Sequence, residues 1–91
     1  MMQNKEQNIE KLREEIDEID KIIIYYLNKR KDISDKIIRT KQDLNQEVYN
    51  PDREEEIINN LNSDPNNKLP LEIISKIYKA IFDSSKSGFI E

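Results

Sequence analysis

The sequence contains no cysteine and no histidine. Without cysteine, the chain can form neither a disulfide framework nor a nucleophilic thiolate. Without histidine, it lacks the commonest general base and the commonest transition-metal ligand. A Ser-His-Asp triad and a histidine-based zinc site are therefore excluded, and any catalysis must use other side chains.

Glycine and long apolar runs are also scarce. Gly88 is the only glycine, whereas a P-loop or a dinucleotide-binding turn requires several glycines close together. No apolar run approaches the length of a membrane span, and the first eight residues, MMQNKEQN, lack the apolar core of a signal peptide. We expect a soluble, cytoplasmic protein with no membrane partner.

The composition is lean in hydrophobic residues for a monomer of this size. Of the 91 residues, 35% are hydrophobic and 37% are charged, and a short chain buries only a modest fraction of its surface. We expect one domain over residues 1–91, with flexible ends at about 1–6 and 88–91, in which partner chains supply part of the burial. The net charge of −4 argues against non-specific binding to nucleic acid.

A long stretch without proline or glycine carries apolar residues at alternating steps of three and four, which predicts a heptad-patterned helix from about residue 6 to 45. Such a helix is roughly 60 Å long, far longer than the radius of roughly 12 Å expected for a compact chain of this length. We therefore predict a dimer or a higher oligomer in which long helices pair across the interface. The patterned positions, here called the heptad seam, are Ile9, Leu12, Ile16, Ile19, Ile23, Tyr26, Arg30, Ile33, Ile37, Thr40 and Leu44.

Two shorter helices follow. Asn50 is a suitable N-cap and Pro51 suits the first helical position, which predicts a helix from about residue 51 to 62. After an Asn- and Pro-rich loop, a single apolar stripe predicts a third helix that starts near Pro70, and Gly88 is a candidate stop signal. The predicted fold class is all-α, with three helices per chain, one of them very long.

Three basic residues on or beside the heptad seam suggest a site for an anionic ligand. Arg30 lies on the seam, and Lys41 follows it by three turns on the same face, roughly 16 Å away. Arg13 is roughly 25 Å from Arg30 along the helix, so it could reach the same small ligand only from a second chain. A plainer alternative applies to all three residues, Arg30, Arg13 and Lys41: basic residues in or beside such seams set the helix register or reach solvent.

Three segments together resemble the all-helical (AroQ-type) chorismate mutases: LREEIDEID (12–20), LNKRKDISDKIIRTK (27–41) and VYNPDREEEI (48–57). The resemblance covers most of the chain. It implies three helices per chain in an intertwined dimer, and isomerisation of chorismate to prephenate in aromatic amino acid biosynthesis. It implies no cofactor and no metal. The rearrangement is a one-step pericyclic shift, which agrees with the missing histidine and cysteine, because it needs no proton transfer.

The resemblance also implies roles for individual residues. Arg30 and the partner subunit's Arg13 would bind substrate carboxylates, Lys41 would reach a carboxylate and the ether oxygen, and Glu54 would accept a hydrogen bond from the substrate hydroxyl. Further residues would complete the pocket: Asn50 through its backbone, Arg53 and Ser85 as polar lining, and Ile37, Ile57 and Phe82 against the ring.

The C-terminal end departs from the family pattern. Four residues after Ser85 the family usually carries Gln or Glu, which donates to the ether oxygen, but this chain has Phe89. Glu91 is the nearest substitute donor, and only in its protonated form. Two rival functions stay open: an isochorismate-pyruvate lyase of the same fold, which would use much the same cationic pocket, and a non-catalytic helical dimerisation module, which the missing donor favours.

Overall fold

The computed structural model describes residues 4–86, and in that range the chain forms three helices and no strand. They are α1 (Asn4–Asp43), α2 (Pro51–Asn62) and α3 (Leu71–Lys86). The predicted all-α class and the order of long, short and medium helix are confirmed. The long helix begins and ends two residues earlier than predicted, and the bounds of the second helix agree with the prediction. Gly88, the predicted stop signal of α3, lies outside the described residues.

The chain divides into two compact units, with the boundary between Arg30 and Lys31. The first unit consists of the greater part of α1. The second contains the last residues of α1 together with α2 and α3. The two units differ in how well they bury their own apolar side chains.

The end of α1 is defined by a turn at Asn45, whose φ of 56° lies in the left-handed region. The N–H of Gln46 donates to the carbonyl of Lys41 at 2.8 Å, and the N–H of Asn45 donates to the carbonyl of Gln42 at 3.1 Å. This pair of hydrogen bonds is the Schellman motif, which satisfies carbonyl groups that the helix leaves open. Asparagine, rather than the usual glycine, occupies the left-handed position here.

The start of α2 carries the cap that the sequence predicts. The side-chain oxygen of Asn50 accepts a hydrogen bond from the backbone N–H of Arg53 at 3.1 Å, and Pro51 follows at the first helical position. Asp52 and Glu54 place negative charge in the first turn, where it interacts favourably with the helix dipole. The chain therefore enters α2 at a position fixed by its own local hydrogen bonds.

The second unit has a small core of its own. α2 packs against α3, and the buried hydrophobic side chains of the described residues are Ile38 in α1 with Ile74 and Phe82 in α3. Ser85 is buried as well. Since Ile74, Phe82 and Ser85 recur at helical spacing, one face of α3 points inward.

The first unit buries none of its described side chains. Its residues on the heptad seam, from Ile9 to Tyr26, all lie exposed on the single chain. Isoleucines and tyrosines off the seam, namely Ile22, Ile24 and Tyr25, are exposed as well. None of the helices in the described range is long and apolar enough to cross a membrane.

Candidate active site

An ion pair joins the first turn of α2 to the last turn of α3. Nζ of Lys86 donates to Oε2 of Glu54 at 3.0 Å, and the side chains of the pair are only 22% and 26% exposed. The same ammonium group lies 4.4 Å from the ring centroid of Tyr49, which is within the range of a cation–π interaction. Glu54, a predicted site residue, is therefore held by an ion pair that the sequence analysis did not predict.

An open groove of about 580 Å³ lies beside this ion pair, between α2 and α3. Two predicted site residues, Glu54 and Phe82, line it. The groove carries three carboxylates and two ammonium groups, so the groove of one chain is not by itself a cationic pocket. The lining residues are Tyr49, Pro51, Glu54, Glu55, Ile58, Asn59, Leu71, Ser75, Lys79, Phe82, Asp83 and Lys86.

Lys41 is half-buried near the end of α1, and its side chain points towards the loop between α1 and α2. Its Nζ is 3.5 Å from the carbonyl oxygen of Val48, which is at the long limit for a hydrogen bond. A contact this long is weak, so an anionic ligand would compete for the ammonium group effectively.

Arg53 and Asn50 occupy the exposed start of α2. The guanidinium of Arg53 pairs with the carboxylate of Glu56 one turn further along. Asn50 uses its side chain for the helix cap, and the N–H of Glu54 donates to its backbone carbonyl at 3.2 Å. The side chain and the carbonyl of Asn50 therefore both serve the helix in this structure.

Ser85 and the predicted apolar lining residues fall into different environments. The Ser85 hydroxyl donates to the carbonyl of Ile81 at 2.8 Å, so this hydroxyl would have to rotate before it could donate to a substrate carboxylate. Phe82 is buried, Ile57 is half-buried, and Ile37 is exposed on the single chain.

The first unit carries the two predicted arginines. Arg13 is exposed and pairs with Glu10 at 3.1 Å, a surface ion pair of a kind that contributes little to stability. Arg30 is half-buried at the last position of the unit. Seventeen residues of continuous helix separate them, roughly 25 Å, so one small ligand cannot reach both in one chain.

The model of the family "Chorismate mutase type II" matches residues 12–88, the greater part of the chain. The chain belongs to this family. Chorismate mutases are isomerases that convert chorismate to prephenate, a step of aromatic amino acid biosynthesis. The family match therefore confirms the predicted family, enzyme class and activity.

Solved structures agree with the family assignment. A chorismate mutase from Thermus thermophilus, described as form I, is 33% identical to the chain with a TM-score of 0.81. The match covers 86% of this chain and 98% of the Thermus chain. Form II of the same protein matches with the same identity and TM-score, over 86% of this chain and 89% of the other. No curated protein matches the chain.

Two parts of the site prediction remain to be placed. Phe89, at the usual Gln position of chorismate mutases, and Glu91, the substitute donor, lie outside the described residues.

Lys86 was not predicted from the sequence because its partner Glu54 is 32 positions away. One signal was available: Lys86 follows Phe82 by four residues, so a helix brings both to the same face.

Proposed function

We propose that this chorismate mutase works in a pocket shared by two copies of the chain, with Arg13 supplied by the partner subunit. The activity itself rests on the family match over residues 12–88 and on the 33% identity to the Thermus enzyme. The sharing rests on the separation of roughly 25 Å between Arg13 and Arg30 on one helix.

The exposed heptad seam supports a homodimer. A row of isoleucines and tyrosines open to water on a single chain is typical of a surface that binds another protein. A second copy is the simplest occupant, because the same heptad pattern on both helices allows them to pair. A pair of antiparallel long helices would bring the partner subunit's Arg13 towards Arg30.

The chemistry requires positioning and charge rather than proton transfer. The pocket must hold chorismate, a flexible dianion, in the compact conformer that reacts. It must also stabilise the negative charge that develops on the ether oxygen as the C–O bond breaks. Fixed cations meet both needs, and no cofactor or metal has a part in this scheme.

Each predicted residue has a role in the proposal. Arg30 and the partner subunit's Arg13 bind carboxylates, and Lys41 leaves the Val48 carbonyl to reach a carboxylate and the ether oxygen. Glu54 accepts from the substrate hydroxyl. Asn50 contributes its backbone, and the remaining lining residues are Arg53, Ser85, Ile37, Ile57 and Phe82, with Glu91 as a substitute donor in its protonated form.

The wider predictions are part of the same proposal. The chain acts as a single domain over residues 1–91, in the cytoplasm, with chorismate and a second copy as its partners and with no nucleic-acid partner. The net charge of −4 supports the last point.

The activity is tested by incubating the purified protein with chorismate. Loss of chorismate with matching appearance of prephenate, well above the uncatalysed rate, is the expected result. A parallel incubation with isochorismate distinguishes the lyase, which would release pyruvate. No acceleration with either compound would leave only the non-catalytic dimerisation module.

The shared pocket is tested by mixing inactive variants. Arg13→Ala and Arg30→Ala should each lose most activity, because each removes a cation that binds a carboxylate. When the two variants are unfolded and refolded together, activity should return to about a quarter of wild type, since half of the dimers are mixed and each mixed dimer has one intact site.

A matched mixture controls for the exchange itself. Arg30→Ala and Lys41→Ala remove two cations that the proposal assigns to the same chain, so every site in their mixed dimer lacks one of them. Their mixture should stay inactive. Equal recovery in both mixtures, or in neither, would rule out a site built from Arg13 of one chain and Arg30 of the other. Circular dichroism should show unchanged helix content in each variant.

A further inference from the structure

We propose that Lys86 is a positioning residue for the reaction, which acts through Glu54 by holding its carboxylate and balancing its charge. The inference rests on the proposed function, because it takes Glu54 as the acceptor for the substrate hydroxyl. It adds a residue that neither the family match nor the sequence analysis assigns.

The geometry fixes the Lys86 ammonium group from two sides. Oε2 of Glu54 is 3.0 Å from Nζ, and the Tyr49 ring centroid is 4.4 Å from it. Glu54 lies in the first turn of α2, Tyr49 lies in the loop before α2, and Lys86 is the last residue of α3. A lysine held by both partners orients the Glu54 carboxylate through one of its two oxygens.

The electrostatics give this contact a function. A carboxylate beside a dianionic substrate repels it, yet Glu54 has to be close to accept the hydroxyl hydrogen bond. Glu55 and Asp83 line the same groove and add negative charge. An ammonium group in contact with Glu54 offsets this repulsion, and it does so more strongly when the pair is largely shielded from water, as here.

The contact with the substrate hydroxyl exists both in the bound substrate and in the transition state, because the hydroxyl takes no part in bond breaking. Loss of such an interaction raises KM more than it lowers kcat. Lys86→Met should therefore raise KM for chorismate about tenfold, the size expected for one charge-assisted hydrogen bond, with a smaller change in kcat. Lys86→Arg keeps the charge and should recover most of the loss.

A double-mutant cycle with Glu54→Gln distinguishes action through Glu54 from direct binding of substrate. In the Glu54→Gln background the charge to be balanced is gone, so adding Lys86→Met should change KM by less than about twofold. A tenfold rise in both backgrounds would mean that Lys86 binds the substrate itself, and would overturn the proposal.

Lys76 provides the matched control. It lies on the same helix and pairs with Glu72 at 3.2 Å, but both side chains are exposed to water. Lys76→Met removes the same charge from α3 and should leave KM within about twofold of wild type, because exposed ion pairs contribute little. An equal rise in KM for Lys76→Met would assign the effect to overall charge and overturn the proposal.

The same variants test the proposed role of Glu54 and the proposed role of Lys86 separately. If Glu54→Gln alone leaves kcat/KM unchanged, the proposed role of Glu54 fails. If Glu54→Gln lowers kcat/KM but Lys86→Met does not, the role of Lys86 fails and that of Glu54 stands. Thermal unfolding of each variant shows whether a change in KM accompanies a loss of structure.

Discussion

The two units of the chain use similar residues in opposite ways. The first, up to Arg30, is rich in isoleucine and tyrosine but buries none of its described side chains. The second, from Lys31, has fewer exposed isoleucines, a packed helix pair and buried Ile38, Ile74 and Phe82. Apolar content alone therefore does not determine whether a segment has its own core, because burial also requires another element to pack against.

The difference teaches that the chain contains two kinds of apolar surface. In the second unit Ile74 and Phe82 of α3 are covered by the same chain, so their burial contributes to the stability of that chain. In the first unit the heptad seam needs a partner before its burial can contribute anything.

The largest effect is expected from a charge on the heptad seam. Ile16→Asp places a carboxylate where the proposed partner helix packs, and an unpaired buried charge costs about 3–5 kcal/mol. We expect the dissociation constant of the dimer to rise on the order of a thousandfold, and chorismate mutase activity to be lost with the dimer. Light scattering after size-exclusion chromatography measures the change directly.

Ile24→Asp is the control for this prediction. On the single chain Ile16 is 57% exposed and Ile24 is 58% exposed, so the two isoleucines match in exposure and differ in that Ile24 lies off the seam. Ile24→Asp should remain dimeric and active. If both variants dissociate, the interface is wider than the heptad seam, and if neither does, the seam is not the interface.

A smaller effect is expected in the core of the second unit, where two adjacent isoleucines differ in burial. Ile74 is 4% exposed and Ile73 is 39% exposed. Ile74→Ala should lower the free energy of unfolding by about 2–5 kcal/mol, because it leaves a cavity, and Ile73→Ala by less than about 1 kcal/mol. Urea denaturation followed by circular dichroism compares them. Equal losses would mean that a partner chain covers Ile73, so that the second unit also depends on the dimer.

The smallest effect tests the local hydrogen bonds of the second unit. Asn50→Ala removes the side-chain acceptor for the Arg53 N–H and should lower the free energy of unfolding by about 1 kcal/mol. Asn50→Asp keeps an acceptor and should retain most of the stability. If Asn50→Asp lost as much free energy of unfolding as Asn50→Ala, the side-chain acceptor would not be the source of the stabilisation.

Much of the fold follows from local signals in the sequence. The unbroken three-and-four spacing from Ile9 to Leu44 predicted α1, and the Asn50-Pro51 pair predicted the start of α2, because both patterns reflect hydrogen bonds and faces within one helix. The Asn45 turn was not predicted, since asparagine adopts the left-handed conformation less regularly than glycine does.

The site was less accessible to sequence reasoning. The basic residues stood out because they interrupt or flank an apolar pattern, and the resemblance gave Glu54 its role. The Lys86–Glu54 ion pair depends on how α2 packs against α3, which no local pattern encodes. Whether Arg13 reaches a neighbouring Arg30 depends on a second chain, so it stays a prediction.

The asparagine at the end of α1 also affects the unfolded chain. Glycine at position 45 would adopt φ of 56° without a steric penalty, but it would give the denatured chain more conformations to lose on folding. A residue with a side chain reduces that entropy, but at a φ of 56° its steric cost works in the opposite direction, and asparagine tolerates this conformation better than most residues do. Because only one glycine occurs in the sequence, almost no position carries the additional backbone entropy that glycine loses on folding.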